Sequence, residues 1–262
     1  MKIKVLINNW TFKAGYLAEH GLSLLIEKTG KRILFDCGQT DAILKNIEKA
    51  QVGFDFDAVI LSHSHYDHTG GLKYIKDKIS CPVYVHEGFF NRKYTLKDGE
   101  YRFIGHDFEE DFQGFRVVQE EVFELFENIF ILNVKAISEN SSEFYIHKDG
   151  KFEKDLFLEE QSLVIKEKDK FILIVGCSHN RIENIIKRAE EVFNSSIFAV
   201  IGGFHSKDFS KEEVNNLCSF FAQHKVYKII PLHCSGIETL ICMGNKLPNK
   251  LKVCGVGDEF EV

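Results

Sequence analysis

The sequence predicts a layered α/β fold with one candidate site at the ends of its strands. In residues 1–90, short apolar runs of strand length alternate with amphipathic segments, in the order strand, helix, strand, helix, strand. The second half of the chain repeats this alternation, and several of its apolar runs end in a histidine. Strands that end at a common rim and carry histidine there would form one site between two half-sheets.

The N-terminal half supplies the first set of elements. The runs KIKVLIN, GLSLLIE and KRILFDCG have strand character, and KTGK between the last two predicts a hairpin turn. In DAILKNIEKA, the side chains of Ile43, Leu44 and Ile47 share one face, which favours a helix. We expect FDAVILSHSH to be a buried strand, HTGGLKYIKDKI a loop running into a helix, and CPVYVHEGFF another strand.

The second half supplies a matching set. We predict a hairpin in QSLVIKEKDKFILIVGCSHN with its turn at EKDK, and a helix in NRIENIIKRAEEVF. SIFAVIGGFHS predicts a strand, SKEEVNNLCSFFAQHK a helix starting near Ser210, and YKIIPLHCSG a strand. LKVCGVGDEFEV closes the chain as a strand or strand pair. Residues 91–159 are less regular, with possible strands in NIFILNVKA and EFYIHKDGKF. We interpret them as an elaboration on a single domain, 1–262.

Composition excludes several classes of function. The chain has 33 Lys and Arg against 39 Asp and Glu, so no basic surface dominates and we expect no nucleic-acid partner. No apolar run approaches the roughly 20 residues that span a bilayer, and the N-terminus lacks a signal-peptide pattern, so we expect no membrane association. The seven cysteines are scattered singly without a CxxC pair, which argues against a disulfide framework. We expect a reduced, cytoplasmic protein whose partner is a small molecule; no oligomeric state is predicted.

The stretch LSHSHYDHTGG concentrates metal-binding side chains directly after a buried strand. His63 and His65 lie two residues apart, so on an extended segment they point to the same side. Asp67 and His68 follow where the glycines at 70–71 allow a tight turn around an ion. Four donors this close can supply two metals, one held by the first pair and one by the Asp–His pair. The alternative is an exposed loop with chance histidines.

HxHxDH followed by GG is the signature of the metallo-β-lactamase superfamily, and this sequence resembles it closely. ILFDCG, with Asp36 and Gly38, matches a second short motif of that superfamily. The resemblance implies an αββα metallo-β-lactamase sandwich, with two mixed sheets flanked by helices. It also implies two divalent metal ions. Imidazole-rich donors suit Zn²⁺, while Mn²⁺ or Fe²⁺ remain alternatives.

The remaining ligands are where the chain departs from the pattern of the superfamily. Glu160 and Gln161 stand where most members have a histidine before a hairpin, and Cys177 stands where they have the bridging aspartate. His179 could reach back as the replacement ligand of the first metal, and His233 occupies the place of the last ligand. Cys177 could ligate metal as a thiolate, line the cavity or be a buried structural cysteine.

Two further histidines are candidates for substrate contact or for support of the ligands. His205, in GGFHS, would share the rim with His233 and could donate a proton or contact phosphate; His20 has a similar but weaker claim. For both, the alternative is a loop residue with no role. Arg92 and Lys93 could meet a phosphate, but an exposed basic pair is more often solvated. The other histidines are expected to be surface or packing residues: His86, His106, His147 and His224.

For function, the resemblance implies a metal-dependent hydrolase that acts through a metal-bound hydroxide oriented by Asp67. The substrate would be small and anionic, either phosphorylated or an ester. GCSH, GGFH and PLHCSG resemble one branch that includes a pterin-condensing transferase, which releases diphosphate. A metal-binding protein without hydrolase activity is a third alternative. The flavodiiron type is disfavoured because it carries Glu where this chain has His65, and because it needs a flavin domain.

Overall fold

The computed structural model describes residues 1–108, 114–133 and 143–262. Strands in these ranges form three sheets. The first sheet has the order β17-β1-β2-β3-β4-β5-β8, antiparallel from β17 to β3 and parallel from β3 to β8. Its strands are β1 (Lys2–Ile7), β2 (Ser23–Lys28), β3 (Lys31–Phe35), β4 (Ala58–Ile60), β5 (Val83–His86), β8 (Phe115–Val118) and β17 (Glu259–Glu261).

The second sheet is also mixed, with the order β16-β15-β14-β13-β10-β9. It is antiparallel from β9 to β14 and parallel from β14 to β16. Its strands are β9 (Val122–Phe126), β10 (Ile129–Asn133), β13 (Gln161–Glu167), β14 (Lys170–Val175), β15 (Ile197–Gly203) and β16 (Lys228–Leu232).

A third, smaller antiparallel sheet has the order β12-β11-β6-β7. Its strands are β6 (Arg92–Lys97), β7 (Glu100–Phe103), β11 (Phe144–Lys148) and β12 (Lys151–Lys154). The segment 91–159 therefore contributes strands to all three sheets: these four, together with β8 in the first sheet and β9 and β10 in the second. Part of the NIFILNVKA run, residues 134–136, lies outside the described residues.

Helices cover the outer faces of the two large sheets. The helices are α1 (Ala42–Ala50), α2 (Tyr66–Thr69), α3 (Leu72–Ile75), α4 (Ile182–Phe193), α5 (Lys211–Gln223) and α6 (Ile237–Lys246), with 3₁₀ turns at Glu87–Phe90 and His233–Ser235. In the described ranges, no helix combines the length and apolar character that a membrane span requires.

Three buried apolar layers hold this arrangement together. The central layer joins the inner faces of the two sheets and contains Phe35 from the first sheet and Ile174 and Ile201 from the second. A second layer packs α1 and α3 on the outer face of the first sheet, and a third packs α4, α5 and α6 on the second sheet. This confirms the predicted αββα sandwich of two mixed sheets flanked by helices.

Most predicted elements are confirmed, with local differences. The KTGK and EKDK hairpins form, and Ser210 caps α5 through a capping box with Glu213. Helix α6 was missed by the sequence analysis. The expectation that Lys93 is exposed was wrong. Its side chain is fully buried, with Nζ 2.8 Å from Asp155 Oδ2 and 2.5 Å from Glu159 Oε1.

Candidate metal centre

The HxHxDH motif bridges the end of a strand and a short helix. After β4 ends at Ile60 the chain bends at residues 62–64, His65 is extended, and Asp67 and His68 then lie in α2. The glycines at 70–71 lie, as expected, in a turn, which joins α2 to α3 with helical φ values. A Cβ atom would come within 2.4 Å of the Gln39 oxygen at the first glycine and 2.0 Å of the Cys37 oxygen at the second. The glycines therefore allow α2 to approach the loop after β3.

One group of donors consists of three histidines. The rings of His63 and His65 lie 4.6 Å apart, and each lies 4.9 Å from the ring of His179. One ligand nitrogen from each of the three falls within 4.8 Å of the others. Among the described residues, the buried Nε2 atoms of His63 and His65 have no hydrogen-bond partner. Buried polar atoms are rarely left unpaired, so this cluster fits a metal ion.

A second group lies beside the first and contains a carboxylate. Asp67 Oδ2 is 3.2 Å from His233 Nε2 and 3.1 Å from His20 Nε2. The ring of His68 is 4.9 Å from that of His233 and 4.2 Å from that of His63. The structure thus brings together all six sequence-predicted ligands and places His20 against Asp67. Zinc accepts both donor sets: the three imidazoles of the first group, and the two imidazoles with one carboxylate of the second.

Neighbouring polar groups orient the histidines. Asp36 accepts hydrogen bonds from the Ser62 backbone N–H at 2.7 Å and from its hydroxyl at 2.8 Å, and lies 2.7 Å from His68 Nδ1. Burial would lower the pKa of His68, but the Asp36 carboxylate raises it to about 9. At the last strand end, Asn9 Oδ1 lies 2.8 Å from His233 Nδ1. In both histidines, Nδ1 is engaged outside the site and Nε2 is turned into it, as in metal-ligating histidines generally.

The charge states of three donors suit cation binding, whereas His68, whose raised pKa keeps it protonated at neutral pH, has to release a proton before it ligates. Burial lowers the pKa of His63 well below its ordinary value and that of His65 to about 3, so both imidazoles are neutral. Burial would raise the pKa of Asp67. Hydrogen bonds from His20 and His233 outweigh it and hold that pKa well below its ordinary value. The carboxylate is therefore ionised.

The loop after β14 carries His179 and is held by Glu160. The Glu160 carboxylate accepts hydrogen bonds from the backbone N–H of His179 at 2.7 Å and of Asn180 at 2.9 Å, and a third from the Asn180 side chain. Phe157 stacks on the His179 ring, with centroids 3.9 Å apart and planes 2° from parallel. Gln161 donates to the Leu61 and Tyr84 carbonyls. Both residues at the place of the customary histidine thus support neighbouring backbone.

Cysteine side chains lie at the floor of the site. Cys177 Sγ is 3.1 Å from His68 Nε2, and the thiol is buried. Cys177 also forms a cluster with His205 and Cys234, whose ligand atoms all lie within 4.8 Å of one another. Cys234 was missed by the sequence analysis, although it follows His233 directly. Asn9 and Phe157 were also missed, and nothing local in the sequence marks them.

The candidate site opens into a cavity of about 660 Å³. Its wall includes candidate ligands and residues from the loops after β14 and β15, with charges of both signs. The cationic residues are Lys97, Arg181 and Lys207. The Arg181 guanidinium lies over the Phe209 ring at 4.7 Å. The cavity is of a size that takes a small molecule.

Comparisons with known proteins agree with this geometry. The family model of the metallo-beta-lactamase superfamily matches residues 17–132. An uncharacterized protein of Methanocaldococcus jannaschii is 34% identical over 249 residues, covering 91% of this chain and 92% of its own. From the same organism, the 7,8-dihydropterin-6-methyl-4-(beta-D-ribofuranosyl)-aminobenzene-5'-phosphate synthase is 28% identical over 261 residues, covering 91% of this chain and 88% of its own.

Among solved structures, the crystal structure of Tm1679, a metal-dependent hydrolase of the beta-lactamase superfamily, superposes with a TM-score of 0.88. The two chains are 32% identical, and the match covers 100% of this chain and 99% of that one. The fold, the arrangement of donors and the near full-length relatives agree, and the branch resemblance is supported by the synthase. The chain therefore belongs to the metallo-beta-lactamase superfamily.

Proposed function

We propose that this protein is a cytoplasmic metal-dependent hydrolase that uses two divalent ions, most simply zinc, on a small anionic ester or phosphoester. The observation that carries the proposal is the pair of adjoining donor groups at the mouth of one cavity. In this proposal His63, His65 and His179 hold one ion, and Asp67, His68 and His233 hold the other. Manganese or iron could occupy the same donors under a different metal supply.

When bound, two such ions supply a nucleophile from water near neutral pH and hold an anionic oxygen of the substrate. The protein's own groups set up that chemistry. Asp67, ionised and held by His20, accepts a hydrogen bond from the attacking water and so orients it. Asp36 and Asn9 keep the imidazoles of His68 and His233 turned towards the site.

An anionic substrate follows from the charge of the proposed centre. Five of the six proposed donors are neutral imidazoles when they ligate metal, and the sixth is a carboxylate, so most of the charge of two divalent ions stays uncompensated. The cavity wall adds no net charge, because Glu143, Asp208 and Glu213 balance its three cationic residues, so the positive charge comes from the ions. A phosphorylated or carboxylated small molecule therefore fits better than a neutral one.

The first test is metal content. Elemental analysis of protein purified without chelators should find at least two ions per chain, and a panel of esters and phosphoesters should then identify a hydrolysed class. His65→Ala should lose both metal and activity. His147→Ala changes a histidine of the third sheet that does not line the cavity, and it should keep both metal and activity. Less than one ion per chain would refute the proposal.

A second candidate function is favoured by the synthase relative. A condensing transferase would use the same centre to hold a diphosphate leaving group of a pterin while an arylamine partner attacks. This reading predicts that diphosphate is released only when both substrates are present. Release from the diphosphate substrate alone would favour the hydrolase. If the protein keeps its metals but converts neither the esters and phosphoesters nor the pterin substrates, it would be a metal-binding protein without enzymatic activity.

A further inference from the structure

Three neighbouring strands end in a set of donors separate from the histidine–carboxylate groups. Strands β14, β15 and β16 are parallel, with Val175 opposite Gly202 and Gly203 opposite Leu232. Two residues beyond the last residue of each strand stand Cys177, His205 and Cys234. Their ligand atoms converge within 4.8 Å of one another, and all three side chains line the cavity. The register of the sheet thus brings a Cys₂His set to one point.

Local backbone structure creates this approach. At Gly203 a Cβ atom would lie 2.6 Å from Cys234 Sγ and 2.5 Å from the Gly176 oxygen, so only glycine lets the three strand ends come so near. His205 has a φ of +47°, which is costly for a residue with a side chain. Its backbone N–H donates to Cys234 Sγ at 3.2 Å. Backbone strain of this kind persists where the surroundings hold it, and it is frequent at functional sites.

The side chain of His205 gives an independent indication of a ligand. Its buried Nδ1 has no hydrogen-bond partner among the described residues. The Cys177 and Cys234 side chains are 3% and 2% exposed and lie next to it. Two sulfurs and an imidazole within reach of one ion match the donor preference of a thiophilic divalent ion.

We propose that Cys177, His205 and Cys234 form a third metal position, which binds zinc or another thiophilic divalent ion and leaves its fourth coordination position open to the cavity. A Cys₂His set with one open position is known from catalytic zinc sites, whereas structural sites are closed by four protein ligands. Both thiols lose their protons on binding, so the ion replaces two protons and no oxidant is involved. Cys177, 3.1 Å from His68 Nε2, lies between this position and the histidine–carboxylate groups.

Cobalt(II) is the probe, because cobalt–thiolate bonds absorb in the near ultraviolet and imidazole or carboxylate bonds do not. The full-length protein, freed of metal and titrated with cobalt, should show this absorption. Cys234→Ser should lose one ion per chain and with it the thiolate absorption, since one of two sulfur ligands is gone. His205→Ala should weaken cobalt binding at this position by at least about tenfold. Cys254→Ser, at an equally buried cysteine outside the cavity, should change neither.

Further measurements separate this proposal from the proposed hydrolase. His65→Ala should lose an ion but keep the thiolate absorption. Loss of one ion together with that absorption in Cys234→Ser would support the third position even if the histidine groups bind nothing. Unchanged absorption in Cys234→Ser overturns the proposal, as does absorption that depends only on Cys177. Titration of the seven cysteines in denaturant supports it if all seven react, and overturns it if two are joined as a disulfide. Should Cys234→Ser fail to fold, His205→Ala carries the test.

Discussion

Replacing Lys93 by methionine should destabilise the protein strongly, because the lysine neutralises two buried carboxylates. Lys93 is fully buried, and Asp155 and Glu159 are 3% and 2% exposed. Its ammonium nitrogen lies 2.8 Å from one carboxylate and 2.5 Å from the other. Methionine fills a similar volume but leaves both carboxylates without their cation. Removing one partner of a buried ion pair costs about 3–5 kcal/mol, and this site leaves two partners behind.

The loss should grow with pH. Burial raises the pKa of Glu159 to about 7 although Lys93 opposes the rise, so in the variant the pKa goes higher still. A carboxyl group whose folded-state pKa is raised contributes stability at low pH, and this contribution is lost as pH rises from the unfolded value through the folded one. Lys93→Met should therefore lose stability more steeply than the wild type as pH is raised from about 4.5 past about 7.

The same change should reach the metal centre. Asp155 Oδ1 accepts the backbone N–H of Phe157 at 2.8 Å, and Phe157 stacks on the His179 ring. If the Asp155 carboxylate moves towards water, the Phe157 backbone loses this hydrogen bond. The Phe157 ring is then no longer held against the His179 imidazole. We therefore expect weaker metal retention in a competition with a chelator, in addition to the loss of stability.

Urea unfolding of the metal-free protein, followed by circular dichroism at several pH values, measures the first effect. Arg92→Met is the matched control, because Arg92 directly precedes Lys93 but has an exposed side chain. This substitution should change the free energy of unfolding by less than about 0.5 kcal/mol. A triple variant, Lys93→Met with Asp155→Asn and Glu159→Gln, should recover most of the stability because no buried charge remains. A loss under about 1 kcal/mol in Lys93→Met at pH 8 would refute the reasoning.

Three further predictions concern the loops of the centre. His63→Ala should remove one ion while leaving the unfolding midpoint of the metal-free protein nearly unchanged, as elemental analysis and calorimetry would show; a room-temperature unfolded variant would contradict it. His179→Ala should lose as much metal as His63→Ala and Glu160→Ala less; the reverse order would show that the carboxylate is the ligand. Gly71→Ala should cost at least about 1–3 kcal/mol in urea unfolding, because its Cβ would lie 2.0 Å from the Cys37 oxygen; wild-type stability would mean that the loops are further apart.

Local sequence pattern was enough to predict most strands, most helices and the first donors, but not β6 to β9 in the less regular segment. Alternation of apolar and polar residues is read within a few positions, and the HxHxDH motif lies in one short segment. The strand that carries His233 was recognisable for the same reason. Each of these inferences depends on residues that are neighbours in the chain.

The features that were missed depend on distant partners or on weak patterns. Lys93 is buried with Asp155 and Glu159, which are more than sixty positions away in the segment between β12 and β13. The clustering of Cys234 with Cys177 follows from the register of three parallel strands, which no local pattern gives. Helix α6 follows a loop without a side-chain cap, and only Thr239 and Met243 of its residues are buried. The helix therefore has too few buried apolar residues for its sequence pattern to predict it.

The loop of His179 shows how a ligand can move to another loop within one fold. Glu160 stands where the superfamily usually has a histidine, and its two oxygens are engaged by the His179 and Asn180 backbone. A carboxylate that already accepts three hydrogen bonds has little reason to turn to a metal, since each bond would have to be given up. By fixing this backbone, Glu160 and the stacked Phe157 bring the His179 ring to the rings of His63 and His65. If His179 is a ligand, as we propose, Glu160 supports it without contributing a donor. A substitution that moves the ligand back to position 160 should therefore require a change at position 179 as well.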